Sequence, residues 1–138
     1  MLLNNYSIFV IVRKGIDMYE IIFYEDVNGY SDVESYIRTL RNRAKTSKDA
    51  RINLNKIVAY MDILEELGTR VGEPVTKHLD GEIWELRPLN NRILYAYYKD
   101  KTFIILTHFL KKTKKSPKRE IEKAVRRLVD YKRRNEIT

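Results

Sequence analysis

Between Glu82 and Arg119 the chain reads E-I-W-E-L-R-P-L-N-N-R-I-L-Y-A-Y-Y-K-D-K-T-F-I-I-L-T-H-F-L-K-K-T-K-K-S-P-K-R. Three short segments, 83–86, 93–98 and 103–110, have the β-branched and aromatic content of strands. Asn90-Asn91 and Lys99-Asp100-Lys101 separate them. Asn and Asp tolerate the backbone angles of tight turns, so the stretch predicts an antiparallel meander. Alternation puts Trp84 and Leu86 on one face of the first strand, with Glu85 and Arg87 on the other. The third strand is apolar on both faces, as a central strand is. Alternation alone does not say which face His108 occupies.

The elements before the meander must supply its covering layer. Residues 19–24 predict another strand. Asn28-Gly29 is a turn signal, and Ser31 or Asp32 is placed to cap a helix over about 33–44. Val33, Tyr36, Ile37 and Leu40 share one face of it. Ser47 is a second cap candidate, for a helix running to about Leu67 and stopping at Gly68. Leu54, Ile57, Val58, Met61, Leu64 and Leu67 make its apolar stripe. Residues 72–81 are turn-rich and predict a connection. After the meander, Ser116-Pro117 reads as cap and first residue of a final helix. Ile121, Ala124, Val125 and Leu128 are its apolar positions. The order strand, helix, helix, three strands, helix predicts an α+β domain, with the two N-terminal helices packed on an antiparallel sheet formed by residues 19–24 and the meander. At 138 residues and 43% hydrophobic content the chain suffices for one such domain. Residues 1–17 contain Ile8-Phe9-Val10-Ile11-Val12, too short to span a bilayer and with its basic residues after the apolar run. They read as an added strand or arm, with Met18 as an alternative start, ahead of a single domain over 18–138.

Charge narrows the partner. Residues 77–138 carry a net charge of +9 and residues 1–76 a net charge of −1. This asymmetry suits a polyanion, whether nucleic acid, an acidic protein or a membrane surface. The chain has no cysteine and two histidines. Thiolate chemistry and disulfides are excluded, and a zinc site has few ligands available. Neither a phosphate-loop nor a dinucleotide-binding motif occurs, and acidic residues do not cluster as magnesium ligands. No metal and no cofactor are expected.

RNA can be cut without a metal, because its 2′-hydroxyl is the nucleophile. The protein must take that proton, neutralise charge on the phosphate and protonate the leaving oxygen. Guanidinium groups suit the charge, so Arg87 and Arg92 are candidates, against an alternative in which they pair with Glu85. His108 matches proton transfer, against a structural hydrogen bond near the core. Lys111 or Lys112 is an acid–base or phosphate-neutralising candidate. Lys77, Lys114, Lys115, Lys118 and Arg119 are candidates for phosphate attraction, and Tyr95 for stacking on bases or for the core.

Several pieces then fall in a specific order. Lys77-x-Leu79-x-Gly81 precedes W-E-L-R (Trp84–Arg87) and Arg92-x-Leu94-Tyr95. T-H-F-x-K-K-T-x-K-S-P (Thr107–Pro117), E-I-x-x-A-x-x-R (Glu120–Arg127) and Asp130-Tyr131 follow. Over about Met18 to Tyr131 this resembles the HigB-like, phage-derived branch of the RelE/ParE toxin superfamily. The resemblance implies a RelE-like fold and a cytoplasmic toxin of a type II toxin–antitoxin pair that cuts messenger RNA in the ribosomal A site. It implies a helix-turn-helix, HigA-like antitoxin, a heterotetramer with it, and operator DNA bound only through it. No membrane partner is implied. By position, Arg87 and Arg92 match the family's strand arginines, His108, Lys111 and Lys112 the end of its last strand, and Lys77 the basic residue before the meander. A ParE-like inhibitor of DNA gyrase and a non-catalytic RNA-binding module are the rival readings.

Overall fold

The computed structural model describes residues 18–136. The strand or arm expected over residues 1–17 lies outside the described residues. The order is β1 (Glu20–Phe23), α1 (Asp32–Arg43), α2 (Lys48–Leu67), a 3-10 turn (Gly68–Val71), β2 (Thr76–Asp80), β3 (Ile83–Leu86), β4 (Asn91–Tyr97), β5 (Thr102–Leu110) and α3 (Lys118–Asn135). This is a mixed α+β fold. Among the described residues no helix is long and apolar enough to cross a membrane.

Local chemistry sets the helix ends. The Ser31 hydroxyl accepts from Glu34 N and the Ser47 hydroxyl from Ala50 N, each satisfying an amide that the first helical turn leaves open. Gly68 ends α2 with φ of 66° and ψ of −159°, a conformation almost confined to glycine. A Cβ there would also meet the Tyr19 ring at 2.9 Å. Ser116 does not cap α3. Pro117 is the cap residue, without a side-chain bond, and the Ser116 hydroxyl donates to Glu85 on β3. A buried carboxylate is a stronger acceptor than a neutral group, and it diverts the hydroxyl.

The sheet has five strands in the order β1-β5-β4-β3-β2. Two expectations are corrected here. Residues 76–80 of the supposed connection form edge strand β2, paired with β3 through Thr76↔Leu86 and Lys77↔Glu85. The sheet is also not antiparallel throughout, since β1 runs parallel to β5, with Glu20↔Thr102 and Phe23↔Ile105 in register. Three antiparallel pairings from β2 to β5 leave β5 running opposite to β2, so β1, parallel to β5, also runs opposite to β2.

The sheet separates two cores. On one side Val33, Ile37, Leu40, Leu54, Ile57 and Leu64 of α1 and α2 cluster with Leu86, Ile93, Tyr95, Phe103 and Ile105. On the other, Ala124 and Leu128 of α3 cluster with Ile83, Leu94, Ala96, Ile104 and Leu106. Arg127 joins the layers: its guanidinium donates to both carboxylate oxygens of Asp32 at 3.0 and 2.8 Å and to Leu106 O at 2.7 Å. Because β1 pairs with β5 only as far as Ile105, the C-terminal half of β5 has no strand on that side. The candidate site lies there.

Candidate functional site

The centre of the site is an asparagine. Pro88–Asn91 forms a turn in which Asn91 N donates to Pro88 O at 3.0 Å and Leu89 takes a φ of 59°. Asn91, read from sequence as a turn residue, is the first residue of β4 and has no exposed surface. Its side-chain amide donates to Pro88 O at 3.1 Å and to Asn53 Oδ1 on α2 at 2.9 Å. A carbonyl can only accept, so the Pro88 contact fixes which way the amide points. Oδ1 therefore faces Tyr36 OH at 3.0 Å and His108 Nε2 at 2.9 Å, and accepts from both.

The tautomer of His108 follows. Its Nε2 must carry the proton that Asn91 receives, so in the neutral ring Nδ1 is the basic nitrogen. The register Ile93↔His108 places the ring on the α1/α2 side of the sheet, where it stacks on Tyr36 with centroids 3.8 Å apart and planes 23° apart. Burial pushes the imidazole down to about 4, against a smaller upward pull from Asp32. The ring is thus neutral at pH 7, with Nδ1 unprotonated. Burial also raises the Tyr36 phenol, against a smaller lowering by Arg43.

Cations rim this network. Lys111 N donates to Asn90 O and ends the ladder, after which Lys111, Lys112, Lys114 and Lys115 are all exposed. None of the four makes an ion pair among the described residues. Two clefts open beside them. One, of about 310 Å³, lies between α1 and the start of α3 and is lined by His108, Tyr36, Phe109, Lys112, Arg119 and Glu120 among others. The second, of about 420 Å³, lies between the helical hairpin and the β3–β4 turn, with Arg43, Asn53, Lys111 and Lys112 in its walls. Lys118 and Arg119 occupy the first turn of α3, where positive charge opposes the helix dipole. Their presence there is unfavourable for the helix and favourable for an anion.

The two arginines sit elsewhere. Arg87 and Arg92 converge on the buried Glu85 carboxylate, with Nε atoms 3.4 and 3.9 Å from Oε1. They occupy the α3 side of the sheet, across it from His108. Arg92 is 7% exposed, and its Nη1 donates to Leu89 O and Asn91 O at 2.8 Å each. Burial lowers its pKa, with Glu85 opposing that shift. Arg87 is more open and has Glu73 as a second partner at 3.5 Å. Lys77, exposed on β2, is the cross-strand neighbour of Glu85. Tyr95 is fully buried, with its hydroxyl 2.7 Å from Thr76 Oγ1 and its ring edge-on to Phe103. It belongs to the core and presents no face to a base.

The structure thus groups His108, Lys111, Lys112 and Arg119 and separates them from Arg87, Arg92 and Lys77. Sequence reasoning missed Tyr36, Asn53, Asn91 and Glu120. Tyr36 fits the apolar stripe of α1 and Asn91 fits a turn, so neither carries a local signal of function. A polar Asn53 one position before the stripe residue Leu54 was the one visible hint.

Compared with known families, residues 44–129 match the profile of one described as phage derived protein Gp49-like (DUF891). That span holds α2, strands β2 to β5 and most of α3, including Asn91, His108, Lys111 and Lys112. No curated protein matches the chain.

Proposed function

The chain belongs to the phage-derived Gp49-like family, and from that membership we propose that it is the toxin of a type II toxin–antitoxin system that cuts messenger RNA on the ribosome. The observation that carries the chemistry is the neutral His108, oriented by Asn91 and rimmed by unpaired lysines. Its Nδ1 takes the proton of a ribose 2′-hydroxyl. The 2′-oxygen attacks the adjacent phosphorus, and the bond to the 5′-oxygen breaks. The Lys112 ammonium, which lines the same cleft, supplies the leaving oxygen with a proton. The products are a 2′,3′-cyclic phosphate and a 5′-hydroxyl. Lys111 and Arg119 neutralise phosphate charge, a role in which a preorganised cation is usually the largest catalytic contribution. Arg92 holds the β3–β4 turn and Arg87 contributes a more distant field. The basic half docks on ribosomal RNA. A helix-turn-helix antitoxin opposes the activity, either by covering this site or by making the complex too bulky for the A site.

Expression without antitoxin tests the reading. Labelled-methionine incorporation should stop within the first minutes of growth arrest, and message should be cut only where ribosomes sit. Continued incorporation with altered plasmid supercoiling would instead indicate a gyrase inhibitor. Arrest with intact message would indicate a non-catalytic RNA-binding module.

A further inference from the structure

We infer that the cleft between the helical hairpin and the β3–β4 turn is a second phosphate subsite, in which Arg43 holds an RNA phosphate next to the one being cut. The inference rests on the RNA substrate proposed above and adds to it the course of the strand. Arg43 is the last residue of α1, and it is exposed in the wall of the 420 Å³ cleft together with Lys111 and Lys112. The end of α1 and the end of β5 thus bring three cations to one concavity. This cleft shares Tyr36, Leu110 and Lys112 with the cleft that His108 lines. An RNA strand whose cut phosphate sits between His108 and Lys112 therefore has a continuous path past Tyr36 to Arg43.

No contact within the fold occupies the Arg43 guanidinium. Among the described residues it makes neither an ion pair nor a side-chain hydrogen bond. A cation in the last helical turn suits the dipole, but Arg41 in the same turn meets that need. The charge of Arg43 reaches the site, since it lowers the Tyr36 phenol against the larger effect of burial. The Tyr36 hydroxyl donates to Asn91 Oδ1, the group that orients His108. One carboxylate, Asp49 in the first turn of α2, opposes the three cations and leaves the cleft positive. A planar guanidinium fork suits two oxygens of one phosphate. A phosphate that is not cut keeps its charge throughout the reaction, so Arg43 binds and positions the strand and takes no part in proton transfer.

Two measurements on the full chain test this. In the first, programmed ribosomes carry messages in which one phosphate at a time, on either side of the cut, is replaced by an uncharged methylphosphonate. At one non-scissile position the replacement should slow wild-type cutting roughly tenfold, the effect of losing a hydrogen bond to a charged group. Arg43→Ala should slow cutting of the unmodified message by a similar factor, and the methylphosphonate at that position should then cost nothing further. At the other positions it should cost both proteins alike. Arg43→Lys should recover part of the rate. In the second, a short single-stranded RNA with every 2′-hydroxyl methylated, and so uncuttable, is titrated into the free protein while NMR follows the Asn53 side-chain amide and the Tyr36 ring. Both should shift, and R43A should lower the slope of log affinity against log salt by about 0.7, the share of one phosphate on a single strand. Where the protein cuts, the first measurement decides. A methylphosphonate penalty equal in wild type and R43A at every position overturns the subsite and leaves the nuclease standing. Where it does not cut, the second decides. A slope that R43A leaves unchanged, or an unshifted Asn53 amide, overturns the subsite, whereas an Arg43-dependent slope keeps the subsite and overturns the nuclease. Melting curves of R43A confirm that it is folded when compared.

Discussion

At the scale of single residues, His108 has two consequences that a pH titration separates. The unfolded imidazole titrates near 6.5 and the folded one, held down by burial, near 4. Between these values the unfolded chain binds a proton that the folded chain refuses. Stability therefore falls as pH drops from about 6.5 to about 4, by about 3 kcal/mol in all, and the penalty is absent above that window. Denaturant unfolding at pH 7 and pH 4 should show this loss, and His108→Gln should remove most of it. For the chemistry, the base must be neutral. The cleavage rate should rise with pH through about 4 and stay flat to neutrality, whereas an unburied histidine would place the break near 6.5. Asn91→Ala should return that break toward 6.5 by admitting water to the ring. An unchanged break would show that Asn91 does not control it. Of this site the sequence made His108 and the lysines legible, because chemistry restricts which side chains move protons or hold phosphate. Asn91 was not legible: its role depends on carbonyls and hydroxyls that the fold brings in from Pro88 and Tyr36.

At the scale of elements, the legible parts are those with a local cause. Ser31, Ser47 and Gly68 mark their helix ends through side-chain bonds or a backbone angle that neighbours cannot alter. Gly68→Ala should cost about 2 kcal/mol or more in unfolding free energy, from the backbone conformation and the contact with Tyr19. A variant melting like the parent would show that the turn relaxes freely. Strand β2 was illegible because Thr-Lys-His-Leu-Asp has neither a long apolar run nor β-branched density, and takes its strand form from pairing with β3. Ser116 was misread for the same kind of reason, since Glu85 lies 31 residues away in sequence. The Arg127–Asp32 clamp between α1 and α3 is equally nonlocal. Arg127→Ala should lower stability by about 1–2 kcal/mol, a figure reduced for the partial exposure of Asp32. Arg127→Lys should restore part of it, having lost the two-pronged geometry.

At the scale of the whole molecule, the sheet is a partition. His108 and its partners lie on the α1/α2 side, and the buried Glu85 with its two arginines lies on the α3 side. The composition places the positive charge in the second half of the chain but cannot distribute it between two faces of a sheet. That is why the arginines and the histidine appeared to belong to one site. The exposed loop lysines are the part of that charge left for long-range attraction. Lys114→Ala combined with Lys115→Ala should weaken ribosome binding and reduce the slope of log affinity against log salt by roughly one per lysine, without changing the rate once bound. A slower bound-state rate would move these lysines into the chemistry. Proton transfer by His108 on ribosome-bound message is the central proposal, and single-turnover cleavage on programmed ribosomes, with the protein in saturating excess, measures it. The wild-type chain should cut, and His108→Gln, folded and bound to the same extent, should cut about a hundredfold more slowly or worse; equal rates for the two would contradict the claim.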